Sequence, residues 1–405
     1  MNKIISLIFH VLFFIWAIFS LTLITKIPER YLPILELLPF IIAAIAFILA
    51  YKFNRSLVIY SSSLFLLIYL YLVFSPLLYS PALNTQQQLL SLNSLTIFLA
   101  LNTILLCFYS ERGIFTSIGI SRFIFILLQA AGIIWLIQSK QAQWLDLLTQ
   151  TLFPALEVKL AFLWQTTILV LLVSIIVISS SYLTRANPFR SAIFVSMFLL
   201  IYAMTLNAKD LLSLSVLCSY ALILPLLTLI SESYRMAFMD DLTNLPGRRA
   251  LNEDLNTLGS NYVIAMLDVD HFKKFNDTYG HDAGDDVLQL LGARLKGVKG
   301  GGKPFRYGGE EFTIVFSGAS LGDVKEPLED LREAVASKKF ALRKQERRKK
   351  NKTPKKNTNQ RHVSVTISIG YAERNNKATT PSAVLKASDK ALYRAKKKGR
   401  NCVCK

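Results

Sequence analysis

The chain has 405 residues, of which 52% are hydrophobic and only 18% charged, whereas a soluble protein of this length carries about a quarter charged residues. That balance excludes disordered, collagenous and disulfide-scaffold classes and points to a membrane protein. The formal charge is +19, but residues 338–361 alone hold 12 basic residues against the single acid Glu346, so the basicity describes one segment and does not by itself imply nucleic-acid binding.

Chain order separates an apolar half, residues 1–235, from a mixed half, residues 236–405. A bilayer core takes about 20 mostly apolar residues per helix. Such runs are expected as spans at 4–25, 33–51, 57–79, 88–109, 119–138, 163–183, 190–206 and 211–231, which makes eight. The first is read as a retained helix, since no small-residue cleavage pattern precedes Pro28. Residues 141–161 carry Asp146, Glu157 and Lys159 and read as an interfacial loop or amphipathic helix. Eight spans put both termini on one side. Lys3, Lys52, Arg55, Arg112, Arg122, Arg185, Arg190 and Arg235 share it, against Lys26, Arg30, Lys140, Lys159 and Lys209 opposite. The positive-inside bias therefore favours a cytoplasmic C-terminal half.

That half alternates. The pattern predicts a helix at 246–258, a strand at 262–268, a helix at 283–296 and a hairpin pairing 304–307 with 312–316. A helix at 328–344, a strand at 363–370 and a last helix at 381–398 follow. This is an α/β domain of about 165 residues, large enough for its own core. Cys107, Cys218, Cys402 and Cys404 show no disulfide framework or zinc spacing and read as reduced thiols, the last two as an inert tail.

Two motifs carry chemistry. Gly308-Gly309-Glu310-Glu311-Phe312 places two glycines in a tight hairpin whose backbone can approach a ligand. Neighbouring strand residues face opposite ways, so one of Glu310 and Glu311 is expected to face the ligand and the other to support the turn. Asp268 closes a buried strand, and a strand-end carboxylate beside a hairpin carboxylate suits Mg²⁺, which takes oxygen ligands and keeps substrate phosphates in its shell. The following turn offers backbone N–H groups to phosphate. Asn276 and Asp285 suit the hydrogen-bonding edge of guanine. Simpler roles stand beside these: Asp268 as a turn cap, Asn276 and Asp285 as turn and N-cap residues, and Lys396 with Arg400 as cations complementing a helix dipole.

Taken together, these residues resemble the GGDEF family of diguanylate cyclases, here with a GGEEF signature. Four ordered blocks carry the resemblance over roughly 240–403: Asp240-Asp241-Leu242-Thr243-Asn244-Leu245-Pro246-Gly247-Arg248-Arg249, the Asp268 block through Asp285, the signature, and Thr366-Ile367-Ser368-Ile369-Gly370 followed by Ala387 to Asn401. The resemblance implies condensation of two GTP into cyclic di-GMP with release of two pyrophosphates. It implies that Asp268, the Val269 carbonyl and Glu310 hold Mg²⁺ or Mn²⁺ and that Glu310 is the base near the attacking 3′-hydroxyl. Asn276 and Asp285 would read guanine, the backbone at Phe272 and Lys273 would hold phosphate, and Lys396 and Arg400 would neutralise the triphosphate. His281 is counted with the substrate-contacting residues, not as a metal ligand. One GTP per domain makes a homodimer part of the mechanism.

Three departures from the family pattern stand out. Lys299-Gly300-Gly301-Gly302 replaces the Arg-x-x-Asp of an inhibitory product site, which is therefore expected to be absent. Asn244 and Gly247 reverse the commoner Gly and Asn. The basic segment 338–361 lengthens a loop, and anionic lipid headgroups are its leading functional partner, with no nucleic acid expected. The sequence thus predicts a bacterial inner-membrane, multi-pass sensor or anchor, 1–235, carrying a cytoplasmic GGDEF cyclase domain, 236–405. A catalytically inactive GTP-binding regulatory module and a transporter with a regulatory domain remain as alternatives.

Overall fold

A computed structural model describes residues 3–24, 26–74, 85–138, 163–184, 188–205, 211–338, 340–341, 362–376 and 378–405. The predicted interfacial stretch 141–161 and most of the basic segment lie outside the described residues. The chain divides into two compact units, residues 1–233 and 234–405.

The first unit is helical: α1 (Lys3–Ile24), α2 (Leu32–Lys52), α3 (Ser56–Phe74), α4 (Thr85–Phe108), α5 (Ser117–Gln138), α6 (Gln165–Thr184), α7 (Pro188–Thr205) and the greater part of α8 (Leu211–Phe238), whose last turn belongs to the second unit. Its core joins Tyr60, Leu64, Phe65 and Tyr69 of α3 to Leu99 of α4, Met197 and Leu200 of α7 and Leu217 of α8. Among the described residues, five stretches are long and apolar enough to cross a bilayer, 29–52, 56–74, 88–108, 117–138 and 211–238. Three shorter apolar helices cover 8–24, 165–181 and 188–204. Three pairs of buried or half-buried polar groups meet across helices, where apolar surroundings favour such bonds. The Tyr69 and Ser215 hydroxyls lie 2.8 Å apart, Asn102 donates to Gln129 at 2.7 Å, and Thr167 donates to Asn93 at 2.7 Å.

In the second unit, α9 (Arg248–Asn256) precedes β1 (Tyr262–Val269). Then come α10 (Phe272–Tyr279), α11 (His281–Leu295), β2 (Lys303–Gly308), β3 (Glu311–Ser317) and α12 (Leu321–Ala336). The two-residue strands β4 (Phe340–Ala341) and β5 (His362–Val363) pair with each other before β6 (Ile367–Glu373), α13 (Pro381–Lys397) and β7 (Val403–Cys404). The main sheet runs β2-β3-β1-β6-β7, antiparallel except for the β6–β7 pair. β1 is central and buried along its whole length, which explains its unbroken apolar run. Val263, Ala265, Leu267 and Val269 face α10, α11 and α12. Tyr262 and Ile264 face the opposite layer with Leu251 of α9 and Val384 of α13.

Two predicted boundaries need correction. The helix expected at 328–344 spans 321–336: a capping box between Ser320 and Asp323 starts it seven residues early, so that Pro327 lies inside it. Past Ser337 the chain turns, and residues 340–341 are a strand. The strand expected at 363–370 is two strands, 362–363 and 367–373. α10 and β7 were not anticipated.

Gly370, on the face of β6 under α13, sets how closely that helix approaches. A Cβ there would meet backbone atoms of Ser388, Ala391 and Leu392. Replacing Gly370 by Ala must therefore push α13 off the sheet, and we expect a loss of about 3 kcal/mol, read as a lower midpoint in chemical denaturation. An unchanged midpoint would show that the helix yields freely.

Candidate active site

The signature turn is built by Arg306. Its guanidinium donates to both carboxylate oxygens of Asp240, at 2.8 and 2.9 Å, and to the carbonyl of Gly309 at 2.8 and 3.2 Å. Asp240 also accepts from the amide and hydroxyl of Thr243 at 2.8 and 2.7 Å. Burial pushes the Asp240 carboxyl up, but these bonds with Thr243 and Arg306 outweigh it and hold the group below its ordinary value. One arginine thus ties the Asp240 block to the turn between β2 and β3, where Gly309 takes a left-handed φ of 52°. Asn244 takes a left-handed φ of 53°, which explains how Asn serves where glycine is commoner.

The turn lies beside the end of β1. Asp268 pairs in register with Glu311, and the Val269 amide donates to the Glu310 carbonyl at 3.4 Å. Asp268 is 6% exposed, and Lys396 from the last turn of α13 places its ammonium 2.8 Å from Asp268 Oδ2. Burial raises the Asp268 carboxyl above its ordinary value, opposed by Lys396 and Arg400. Glu310 is raised by burial and then by the charge of Asp268, against Lys396. Glu311 is raised for the same two reasons. Glu310 and Glu311 are therefore both within electrostatic reach of Asp268. Glu311 also lines a groove of about 430 Å³ with Asp389, Lys390, Leu392, Tyr393, Arg394 and Lys396.

The remaining predicted residues sit on α10 and α11. His271 takes a left-handed φ of 56° and ends the turn after β1. Phe272 and Lys273 then open α10, where helix geometry leaves the first amides without intrahelical partners. Asn276 lies where α10 crosses α11, and its buried amide oxygen has no hydrogen-bond partner. Gly284 leaves it that space, since a Cβ there would collide with the Asn276 amide. His281 and Asp285 are exposed on α11.

Asp270 is the residue that sequence reasoning missed. Its buried carboxylate accepts from Thr366 at 2.7 Å, Ser368 at 2.6 Å and the Asn401 amide at 3.0 Å. It thereby fixes the tail beyond α13, in which Arg400 and Asn401 both take left-handed conformations. Its place two residues after Asp268 was the available signal.

Among the described residues no cluster of three or more His, Cys, Asp or Glu could hold a metal through side chains alone. A buried Asp268 whose charge raises the neighbouring Glu310, with all-oxygen donors, does fit a divalent cation that completes its shell with phosphate and water. Their sign is definite. Because Asp268 and Glu310 ionise less readily in the folded chain, the stability they contribute is present below the ordinary carboxylate range and lost as pH rises through their raised values. Without divalent cation, Glu310→Gln should therefore unfold at a higher temperature than the parent at neutral pH, with the gap closing in acid. Calorimetry showing a less stable variant at neutral pH would refute this.

Residues 237–402 match the family profile "Diguanylate cyclase, GGDEF domain". The chain is 36% identical over 182 residues to the response regulator PleD of Caulobacter vibrioides, covering 43% of this chain and 37% of PleD. It is 35% identical over 181 residues to the diguanylate cyclase DgcP of Pseudomonas aeruginosa, covering 42% of this chain and 24% of DgcP. The chain thus spans well under half the length of these relatives. The crystal structure of the GGDEF domain of DgcB from Caulobacter crescentus in complex with c-di-GMP aligns at 32% identity and a TM-score of 0.36, over 42% of this chain and 92% of that domain. By sequence, the segment from 237 to 402 is a GGDEF domain.

Proposed function

We propose that the chain is a membrane-bound diguanylate cyclase that joins two GTP into cyclic di-GMP with release of two pyrophosphates. The observation that carries this reading is the juxtaposition at one end of the sheet: buried Asp268, Glu310 on the Arg306-held turn, and Lys396 2.8 Å from Asp268. Asp268, the Val269 carbonyl and Glu310 would hold Mg²⁺ or Mn²⁺, which would supply charge neutralisation at the phosphates. Asn276, whose amide oxygen is buried and unpaired, would turn that amide outward to meet a guanine N–H, and Asp285 adds an acceptor. The α10 amides at Phe272 and Lys273 face phosphate oxygens. Lys396 and Arg400 neutralise the triphosphate as pyrophosphate leaves. Glu310, with its raised pKa, accepts the proton of the attacking 3′-hydroxyl. Catalysis is then mostly positioning and charge stabilisation in an in-line displacement. Each 3′-hydroxyl attacks the other nucleotide's α-phosphorus, so two domains must meet as a homodimer.

Residues 1–235 form the membrane part in this reading, with eight spans and a cytoplasmic C-terminal domain. Its support is the set of apolar helices, and the outward apolar side chains of α2 and α5, among them Ile41, Ile48, Ile124 and Leu128. The 338–361 segment is the part that would touch anionic lipid.

Turnover is the test. The detergent-solubilised chain with GTP and Mg²⁺ should yield cyclic di-GMP, and Glu310→Gln should lower the rate at least about a hundredfold. Unchanged product formation by that variant would sink the assignment.

Product feedback should be competitive only. Lys299 is held 2.9 Å from Asp330, and a Cβ at Gly302 would meet the Phe316 ring at 2.6 Å, so this turn supplies neither an arginine fork nor a neighbouring carboxylate. Added cyclic di-GMP should raise KM for GTP and leave kcat alone. A fall in kcat would show a separate product site.

A further inference from the structure

The chain's two tail thiols stand on either side of Val403. Cys402 lies in the bend that leads into β7 and Cys404 lies within that strand, so a bridge between them would close over a single residue and needs their Cβ atoms within about 4.5 Å. Cys402 is half-buried and Cys404 is 7% exposed. Burial and then the neighbouring Cys404 thiol raise the Cys402 pKa, against Lys398.

Cys402 is wired into the segment that carries Arg400. Its thiol donates to the carbonyl of Ala395 at 3.4 Å, and the Arg400 amide donates to that same carbonyl at 3.1 Å. The Cys402 carbonyl accepts from the Ile369 amide at 3.0 Å. Between them, the Asn401 amide is bound by Asp270 and its side-chain oxygen by Arg332 at 3.2 Å. A bridge between the two sulfurs would remove the thiol donor and draw residues 402 and 404 closer than an extended strand allows. β7 would then lose its register on Ile369 and Gly370.

We propose that Cys402 and Cys404 are a covalent modification site, a dithiol that a low-molecular-weight disulfide converts reversibly to an intrachain disulfide, displacing the Arg400–Asn401 segment. The effect on nucleotide rests on the assignment of Arg400 to the triphosphate. One thiolate attacks a sulfur of the oxidant, forming a mixed disulfide and releasing one oxidant thiolate. The second thiolate attacks the protein sulfur of that mixed disulfide and releases the other. One disulfide forms, one is reduced to two thiols, and the two protein protons end on the released thiols. Strain in so short a bridge makes it oxidising, so cytosolic thiols reduce it readily. That is what a regulatory bond requires.

The full chain in detergent should be equilibrated with oxidised and reduced glutathione, alkylated and cut with trypsin. Peptide 401–405 should lack two hydrogens and resist alkylation at oxidising ratios, amide exchange at Ile369 and Asn401 should quicken, and a non-hydrolysable Mg²⁺·GTP analogue should bind about five-fold more weakly. Reduction should reverse all three, and Cys402→Ser and Cys404→Ser should show none. Glutathione adducts alone, bridges between chains, or a bridge that leaves Ile369 exchange unchanged would overturn the proposal. If the reduced chain binds no GTP analogue, the active-site reading fails, while the peptide and exchange readouts still decide the dithiol.

Discussion

The GGDEF domain depends on one arginine's ability to satisfy two segments at once. Arg306 gives Nη1 to both carboxylate oxygens of Asp240 and a fork of Nε and Nη2 to the Gly309 carbonyl. Lysine could not do both, since it lacks the fork. The pair is partly buried, at 14% and 23% side-chain exposure, so it is screened less than a surface ion pair. Without it the glycine turn has little to hold it, because Gly308 and Gly309 contribute no side chains. The position of Glu310 relative to Asp268 then follows from a contact made 66 residues away in sequence.

The carboxylates illustrate how the site stores unfavourable electrostatics in a stable frame. Asp268 could not be 6% exposed at the end of a loose strand. β1 is flanked by β3 and β6 and covered on both faces, and that frame tolerates carboxyls whose ionisation is disfavoured. Lys396 supplies partial compensation from α13, which Gly370 allows to settle against the sheet backbone. Packing and charge are therefore one problem here: the glycine that admits the helix also brings up its ammonium.

Much of this was legible in the sequence, for identifiable reasons. Long apolar runs and the unbroken β1 segment report burial directly, and each of the eight expected apolar stretches is helical where it is described, apart from Tyr109, Leu163 and Trp164 at their ends. The glycine pair with its following carboxylates reports a hairpin. What was not legible is non-local or conformational. α10 is only eight residues and opens from a left-handed histidine, so neither periodicity nor a cap residue marks it. The early start of α12 was hidden by Pro327, which reads as a boundary unless the capping box at Ser320 is given more weight. Asp270 and Arg306 were visible as residues, but their partners come from Thr366, Ser368, Asn401 and Asp240, and no local pattern names those.

Asp270 also governs when the domain can assemble. Its carboxylate is completed by Thr366 just before β6, Ser368 within it and the amide of Asn401, and β7 lies beyond β6 at the sheet edge. During synthesis, which delivers about 5–20 residues per second, β1 emerges more than 130 residues before Asn401 and must wait with its polar end unsatisfied. The last of Asp270's three hydrogen bonds is therefore unavailable until residue 401 clears the exit tunnel. The apolar helices of the first unit have long since emerged by then, so they can pack before the carboxylate end of β1 is complete.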